Sequence, residues 1–172
     1  MEVVKVPDII RKEHLTALME AYEKELLGVC CAYLRDIHLA EDAVQETFLK
    51  AYRSMNRFRG ECSEHTWLMR IAINTCRDFR RSAWLKYVDR SVTLDSLPEP
   101  IAPAADRSNE ITCAIMGLPR KEMEVMLLHY YQGMTVTEIG QALSLSISAV
   151  SGRLTRARRR LKTLLKGVLD DE

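Results

Sequence analysis

The chain has 172 residues, with 25 basic and 24 acidic side chains and a net charge of +1. Its 47% apolar content is enough for a core, its 28% charged content is ordinary for a soluble protein, and its length allows one domain or two small ones. Seven glycines and five prolines are few for a turn-rich sandwich or barrel, and the near-zero charge excludes a simple polybasic tail but not nucleic-acid binding, since opposite charges on separate segments cancel in a sum.

The first dozen residues carry no motif. No charged start followed by an apolar run of roughly 7–15 residues, the mark of a secretory signal, is present. The most apolar stretch, Leu26 to Leu34, contains Gly28 and falls short of the about 20 residues that cross a bilayer. A cytoplasmic protein without membrane insertion is expected.

The predicted elements are helices throughout. Leu15, Leu18, Met19, Tyr22, Leu26 and Val29 recur at helical spacing and predict a helix from His14 to Tyr33. A second runs from about Leu39 to Met55 on a stripe of Ala40, Ala43, Val44, Thr47, Phe48, Ala51, Tyr52 and Met55. A polar loop, Asn56 to His65, precedes a third helix from Thr66 to Ala83. Its expected core side is Trp67, Leu68, Ile71, Ala72, Thr75 and Phe79. Residues 91–106 then hold three prolines, three acids and no base, which blocks helix and reads as a linker.

Beyond the linker the punctuation is sharper. Pro119 suits a first helical position and Gly133 the residue past a helix end. Between them Met123, Val125, Met126, Leu127, Leu128 and Tyr131 predict a buried helix. Thr135-Val-Thr-Glu138 is a capping-box pattern that starts a helix over 136–143. A short turn at Ser144–Ser146 leads to a last helix with Ile147, Val150, Leu154, Ala157, Leu161 and Leu164 on one stripe. The fold class is therefore all-α: two small helical domains, 12–90 and 107–168, joined by the acidic, proline-rich linker. The second ends in a helix–turn–helix.

Three surfaces carry chemistry. The last helix has seven bases and no acid between Ile147 and Lys166, a charge pattern suited to duplex phosphates. Ser148, Gly152, Thr155, Arg156 and Arg159 fall opposite its apolar stripe. The macrodipole accounts for bases late in the helix, but not for Arg153 and Arg156 in its first half without a balancing acid. On the third helix Arg70, Asn74, Arg77 and Arg81 share one face, next to Arg57, Phe58, Arg59, His65 and Trp67. Cations mixed with aromatic rings suit single-stranded DNA, whose phosphates and unstacked bases they meet; packing is the competing role for Phe58 and Trp67. On the second helix Asp42, Gln45, Glu46 and Leu49 face away from the core. This is either an ordinary acidic face or a docking stripe for a partner bearing arginines.

The five cysteines form neither a disulfide framework nor a zinc spacing. Cys30, Cys31 and Cys76 read as small core residues. Cys62 lies near Glu61 and His65, but isolated Cys/His pairs seldom complete a metal site. No cofactor, metal-ligand cluster, nucleophile–base pair or phosphate loop is legible, so the reading is not an enzyme.

Ala40-Glu-Asp-Ala-Val-Gln-Glu-Thr-Phe-Leu-Lys-Ala-Tyr52 resembles the core-polymerase-binding helix of bacterial sigma factors. Phe58-Arg-Gly and Thr66-Trp-Leu-Met-Arg-Ile-Ala-Ile-Asn74 resemble their promoter-melting, −10-reading segment. Thr135 and Glu138-Ile-Gly140, with Val150-Ser-Gly-Arg-Leu-Thr-Arg-Ala-Arg158, resemble their −35-reading helix–turn–helix. Three motifs in this order, in a two-domain chain, are similar to the extracytoplasmic-function (ECF) subfamily.

The resemblance implies that Asp42, Gln45, Glu46 and Leu49 meet the β′ clamp helices of core RNA polymerase, with the β flap as a further contact of the protein. It implies that Arg57, Phe58, Arg59, His65, Trp67, Arg70, Asn74, Arg77 and Arg81 hold the melted −10 strand. It implies that Thr135, Ser148, Ala149, Gly152, Arg153, Thr155, Arg156 and Arg159 meet duplex DNA at −35. It also implies an anti-sigma factor. Ala149, Ser151 and Gly152 depart from the family's usual Thr, Lys and Ser, which removes one phosphate contact and puts a glycine inside a helix. The alternatives are a helix–turn–helix regulator acting on duplex DNA without polymerase, and an adaptor that binds only proteins.

Overall fold

The computed structural model describes residues 7–89 and 114–169, the side chains of 83–89 and 166–169 excepted. The predicted linker lies outside them. All secondary structure among the described residues is helical, as the sequence predicts, and the chain divides into two compact units, residues 1–101 and 102–172.

The first unit is a three-helix bundle. Helix α1 spans Asp8–Leu34, six residues earlier than its apolar spacing indicates, because its first two turns are held by polar contacts instead of core packing. The Arg11 guanidinium donates to the Tyr52 carbonyl at 2.6 Å and lies 4.3 Å from the Tyr52 ring centroid. The Tyr52 hydroxyl donates to the Asp8 carboxylate. Met19, predicted in the core, is 37% exposed.

The chain reverses sharply after α1. Arg35 adopts the left-handed conformation (φ 55°), and Asp36 caps α2 (Ile37–Ser54) by accepting from the Leu39 amide at 3.0 Å. A 3₁₀ turn, Met55–Arg57, leads to the loop. Ser63 then caps α3 (Glu64–Asp89) by accepting from the Thr66 amide at 3.1 Å.

Ala40, Ala43 and Ala51 on α2 let its neighbours approach closely, while Leu26, Val29, Phe48, Leu68, Met69 and Ile73 fill the space between the helices. Each large apolar side chain so buried contributes about 1.5–3 kcal/mol. The buried stripe of α3 includes Met69, Ile73 and Cys76 beside the expected Leu68, Ala72 and Thr75; Trp67, Ile71 and Phe79 are half-buried at its margins.

In the second unit, residues 114–116 are helical and α4 spans Arg120–Met126. Pro119, predicted at the first helical position, instead occupies the capping position one residue before the helix. The helix runs on into a π turn, Leu127–Tyr131, whose extra residue per turn carries Tyr130 and Tyr131 outward (both 53% exposed). Tyr131, expected in the core, is therefore a surface residue. Gly133, with φ 62°, ends the element as predicted.

Helix α5 (Val136–Leu143) begins with the predicted capping box. The Glu138 amide donates to the Thr135 hydroxyl oxygen at 3.2 Å, and the Thr135 amide donates to the Glu138 carboxylate at 2.8 Å. Helix α6 (Ile147–Leu169) packs through Val150, Leu154, Ala157 and Leu161. Ile147 and Leu164, at the two ends of the predicted stripe, are 58% and 47% exposed.

Candidate nucleic-acid interface

The tight turn between α5 and α6 depends on a residue that spacing alone did not single out. A Cβ on Gly140 would stand 2.8 Å from the Leu145 carbonyl oxygen. That close approach lets the Leu145 amide donate to the Gly140 carbonyl at 2.9 Å. Ser144 takes the left-handed conformation (φ 56°), and the Ser146 hydroxyl accepts from the Ala149 amide at 3.2 Å to start α6. Together these contacts fix the two helices of the helix–turn–helix.

The outer face of α6 presents Ser148, Thr155 and Arg159, all exposed, around a half-buried Gly152. A Cβ on Gly152 would meet only the Arg156 guanidinium, at 3.5 Å, so the fold itself does not require glycine there. Ala149 is half-buried, and the exposed Thr135 is engaged in the capping box.

The bases of α6 do have balancing acids, contrary to the sequence expectation. They come from α4, some thirty residues earlier, where no local pattern could disclose them. Glu122 and Glu124 are buried, and Arg156 and Arg160 approach the Glu122 carboxylate through Nε at 3.7 and 3.0 Å. Arg153, only 17% exposed, lies 3.9 Å from Glu124. On the opposite flank Arg158 donates to the Tyr130 hydroxyl at 2.9 Å. Burial of an unpaired carboxylate costs several kcal/mol, so Arg153 has a structural task first.

In the first unit α3 carries Arg70, half-buried, and Asn74, Arg77 and Arg81, exposed, on one face. Arg77 donates to the Asn74 side-chain oxygen at 3.5 Å. Phe58 and Trp67 stack at 4.7 Å between ring centroids beside this face, and Arg57, ending the 3₁₀ turn, and Arg59, on the loop after it, are exposed. His65 is placed elsewhere. It stands about 140° around the helix from Arg70, with Nε2 3.2 Å from the Glu25 carboxylate and its ring 5.5 Å from that of Tyr22. It fastens α3 to α1, as does His14, whose Nε2 lies 2.6 Å from Glu64. No sequence pattern signals that Asp78, at the edge of the basic face, is met by Lys50 of α2 at 3.2 Å; Lys50 donates to Thr75 at the same distance.

On α2, Asp42, Gln45 and Leu49 are exposed and Glu46 is half-buried, so the four do form one outward stripe, with Leu49 49% exposed among polar neighbours.

Two family models match these units: Sigma-70 region 2 over residues 18–86 and Sigma-70 region 4 over residues 108–161. The ECF RNA polymerase sigma factor SigW of Bacillus subtilis is 31% identical over 87% of this chain and 87% of its own. The chain belongs to the ECF sigma factors. RNA polymerase sigma-H factor of Pseudomonas aeruginosa is 26% identical to this sigma factor over 92% of the chain and 89% of its own. Among solved structures, CnrH in complex with the cytosolic domain of CnrY has a TM-score of 0.67 at 25% identity, covering 91% of this chain and 90% of that one. RpoE of Bartonella quintana, in complex with the anti-sigma factor NepR, shares the fold with a TM-score of 0.71 at 24% identity, covering 90% and 96%. This sigma factor is thus a promoter-specific initiation factor that works with core RNA polymerase. A match to region 2 as well as region 4 disfavours the reading as a polymerase-independent regulator.

Proposed function

We propose that this sigma factor divides its work among the three faces described above. The α2 stripe of Asp42, Gln45, Glu46 and Leu49 docks on the β′ clamp helices of core polymerase. The α3 face of Arg70, Asn74, Arg77 and Arg81, with Arg57, Phe58, Arg59 and Trp67, holds the melted −10 strand, its cations on phosphates and its rings on unstacked bases. The outer face of α6, built from Ser148, Gly152, Thr155, Arg156 and Arg159, reads the −35 duplex, with Thr135 at the start of α5 beside the backbone. The β flap is a second polymerase contact, and the acidic segment 91–106 follows the polymerase's RNA path. The protein acts in the cytoplasm without catalysing a reaction itself, and an anti-sigma factor restrains it by covering these faces.

The observation that carries this reading is the chemical opposition of two outward faces on one three-helix bundle: an acidic stripe with an exposed leucine on α2, and a basic, aromatic-edged face on α3. Paired variants test it. Asn74→Ala with Arg77→Ala is expected to keep core binding and lose open-complex formation, read by permanganate footprinting. Asp42→Ala with Leu49→Ala is expected to lose core binding first. The reverse assignment of the two losses would refute the division.

A further inference from the structure

Glu122 has no part in the division of labour above, yet it is the acid against which the recognition helix rests. Its side chain is 8% exposed, while those of Arg156 and Arg160 are 55% and 56% exposed. Both arginines approach the carboxylate through Nε. A guanidinium has five N–H donors in a rigid fork, more than one carboxylate oxygen can use, so an exposed arginine beside a buried acid can still meet a second anion. The two arginines are four residues apart, about 6 Å along the helix axis, and lie on the same flank. Neither lies in the core stripe of Val150, Leu154, Ala157 and Leu161.

Resting on the −35 reading of α6, we propose that Glu122 is a positioning residue for promoter binding. Its carboxylate attracts both Arg156 and Arg160 and keeps their exposed guanidiniums together on one flank of α6, as a pre-ordered pair for backbone phosphates. Pre-ordering removes part of the rotamer entropy that two free arginines would lose on docking. Arg153, half-buried against Glu124, is outside this pair. The pair is a second means of phosphate engagement in a helix that carries Ser151 and Gly152 in place of the family's usual residues.

The sign of one substitution separates positioning from simple charge. Glu122→Gln raises the net charge by one. If Glu122 only weakened the positive field, the variant would bind DNA more tightly and with a steeper salt dependence. A positioning role predicts the opposite.

The test uses holoenzyme assembled from core polymerase and the full chain, on a duplex enriched by the wild-type holoenzyme from a random-sequence pool. Binding is measured across a salt series. E122Q is expected to bind roughly 3–10-fold more weakly at moderate salt, with the log–log salt slope shallower by about 1–2 units, since each phosphate left unneutralised lowers it by about 0.9. R156K and R160K keep the charge and leave the buried acid in place. Each is expected to lose affinity, and E122Q combined with R156K to be within about 2-fold of either alone, because the residues act as a unit. Should E122Q melt within the assay range, the two lysine variants decide the matter. Unchanged or tighter binding by E122Q, additive losses, or no loss in either lysine variant would overturn the proposal. A wild-type holoenzyme that enriches no duplex would instead overturn the −35 reading, and this proposal with it.

Discussion

Two helical glycines in the second unit answer to different demands. At Gly140 the Leu145 carbonyl oxygen would lie 2.8 Å from an added Cβ, and a backbone atom cannot move aside cheaply. Gly140→Ala is therefore expected to lower stability by about 1–3 kcal/mol, read by thermal or urea unfolding. Gly152 has room for a methyl group. There the intrinsic helix preference governs, and Gly152→Ala is expected to stabilise the fold by up to about 1 kcal/mol. If Gly152 serves close approach to the duplex, the same variant loses −35 affinity while gaining stability. The cysteines offer a second check at this scale. Cys30 hydrogen-bonds with Cys76 in the core of the bundle, and that bond together with burial pushes the Cys30 thiol far above its ordinary range. Alkylation at pH 8 is expected to label Cys62, in the half-exposed loop, well before Cys30 or Cys76, which react only on unfolding. Cys113 lies outside the described residues.

Among the elements, the first two turns of α1 show why an apolar pattern under-reads a helix. Ile9 and Ile10 are exposed, and the segment is fixed by Asp8, Arg11, Lys12 and Tyr52. The Tyr52 hydroxyl and the Lys12 ammonium hold the Asp8 carboxyl below its usual range; Asp8 in turn raises Tyr52 and Lys12 above theirs. A depressed acid contributes stability that is lost as pH falls through its folded pKa. Raised Tyr and Lys groups contribute stability that is lost as pH rises through theirs. The start of α1 is thus expected to stay docked on α2 between about pH 4 and pH 10 and to fray outside that window, which backbone amide and ring NMR shifts would follow. Tyr52→Phe removes the largest cause of the lowered Asp8 carboxyl, so the acid limb should move up in pH, while the tyrosine titration disappears from the alkaline limb. What was legible beforehand was the local chemistry: the Thr135–Glu138 capping box, Gly133 past its helix, the order of the helices, and the outward stripe of Asp42, Gln45, Glu46 and Leu49. What was not legible were pairings between distant segments. Glu122 with Arg156 and Arg160, Lys50 with Asp78, and His65 with Glu25 join residues roughly 28 to 40 positions apart, and helical periodicity carries no information on such partners. The outward turn of Tyr131 escaped for another reason: one residue inserted in a π turn rotates everything after it.

For the molecule as a whole, a net charge of +1 is the sum of segregated charges. The acids of α2 look outward on one face of the first unit and the bases of α3 on another. In the second unit, buried acids of α4 absorb part of the charge of α6. The usable positive surface is consequently smaller than the count of bases suggests, and DNA affinity should rest on holoenzyme formation more than on the isolated chain. The isolated chain is expected to bind duplex weakly and with little sequence preference at physiological salt.

The most direct test is reconstituted transcription. The purified chain is added to sigma-free core RNA polymerase with duplexes enriched from a random pool by the resulting holoenzyme. The predicted result is a run-off product with a defined start, absent without the chain and dependent on two sequence elements upstream of it. A chain that fails to bind core polymerase, or that yields no promoter-dependent product, would contradict its role as an initiation factor.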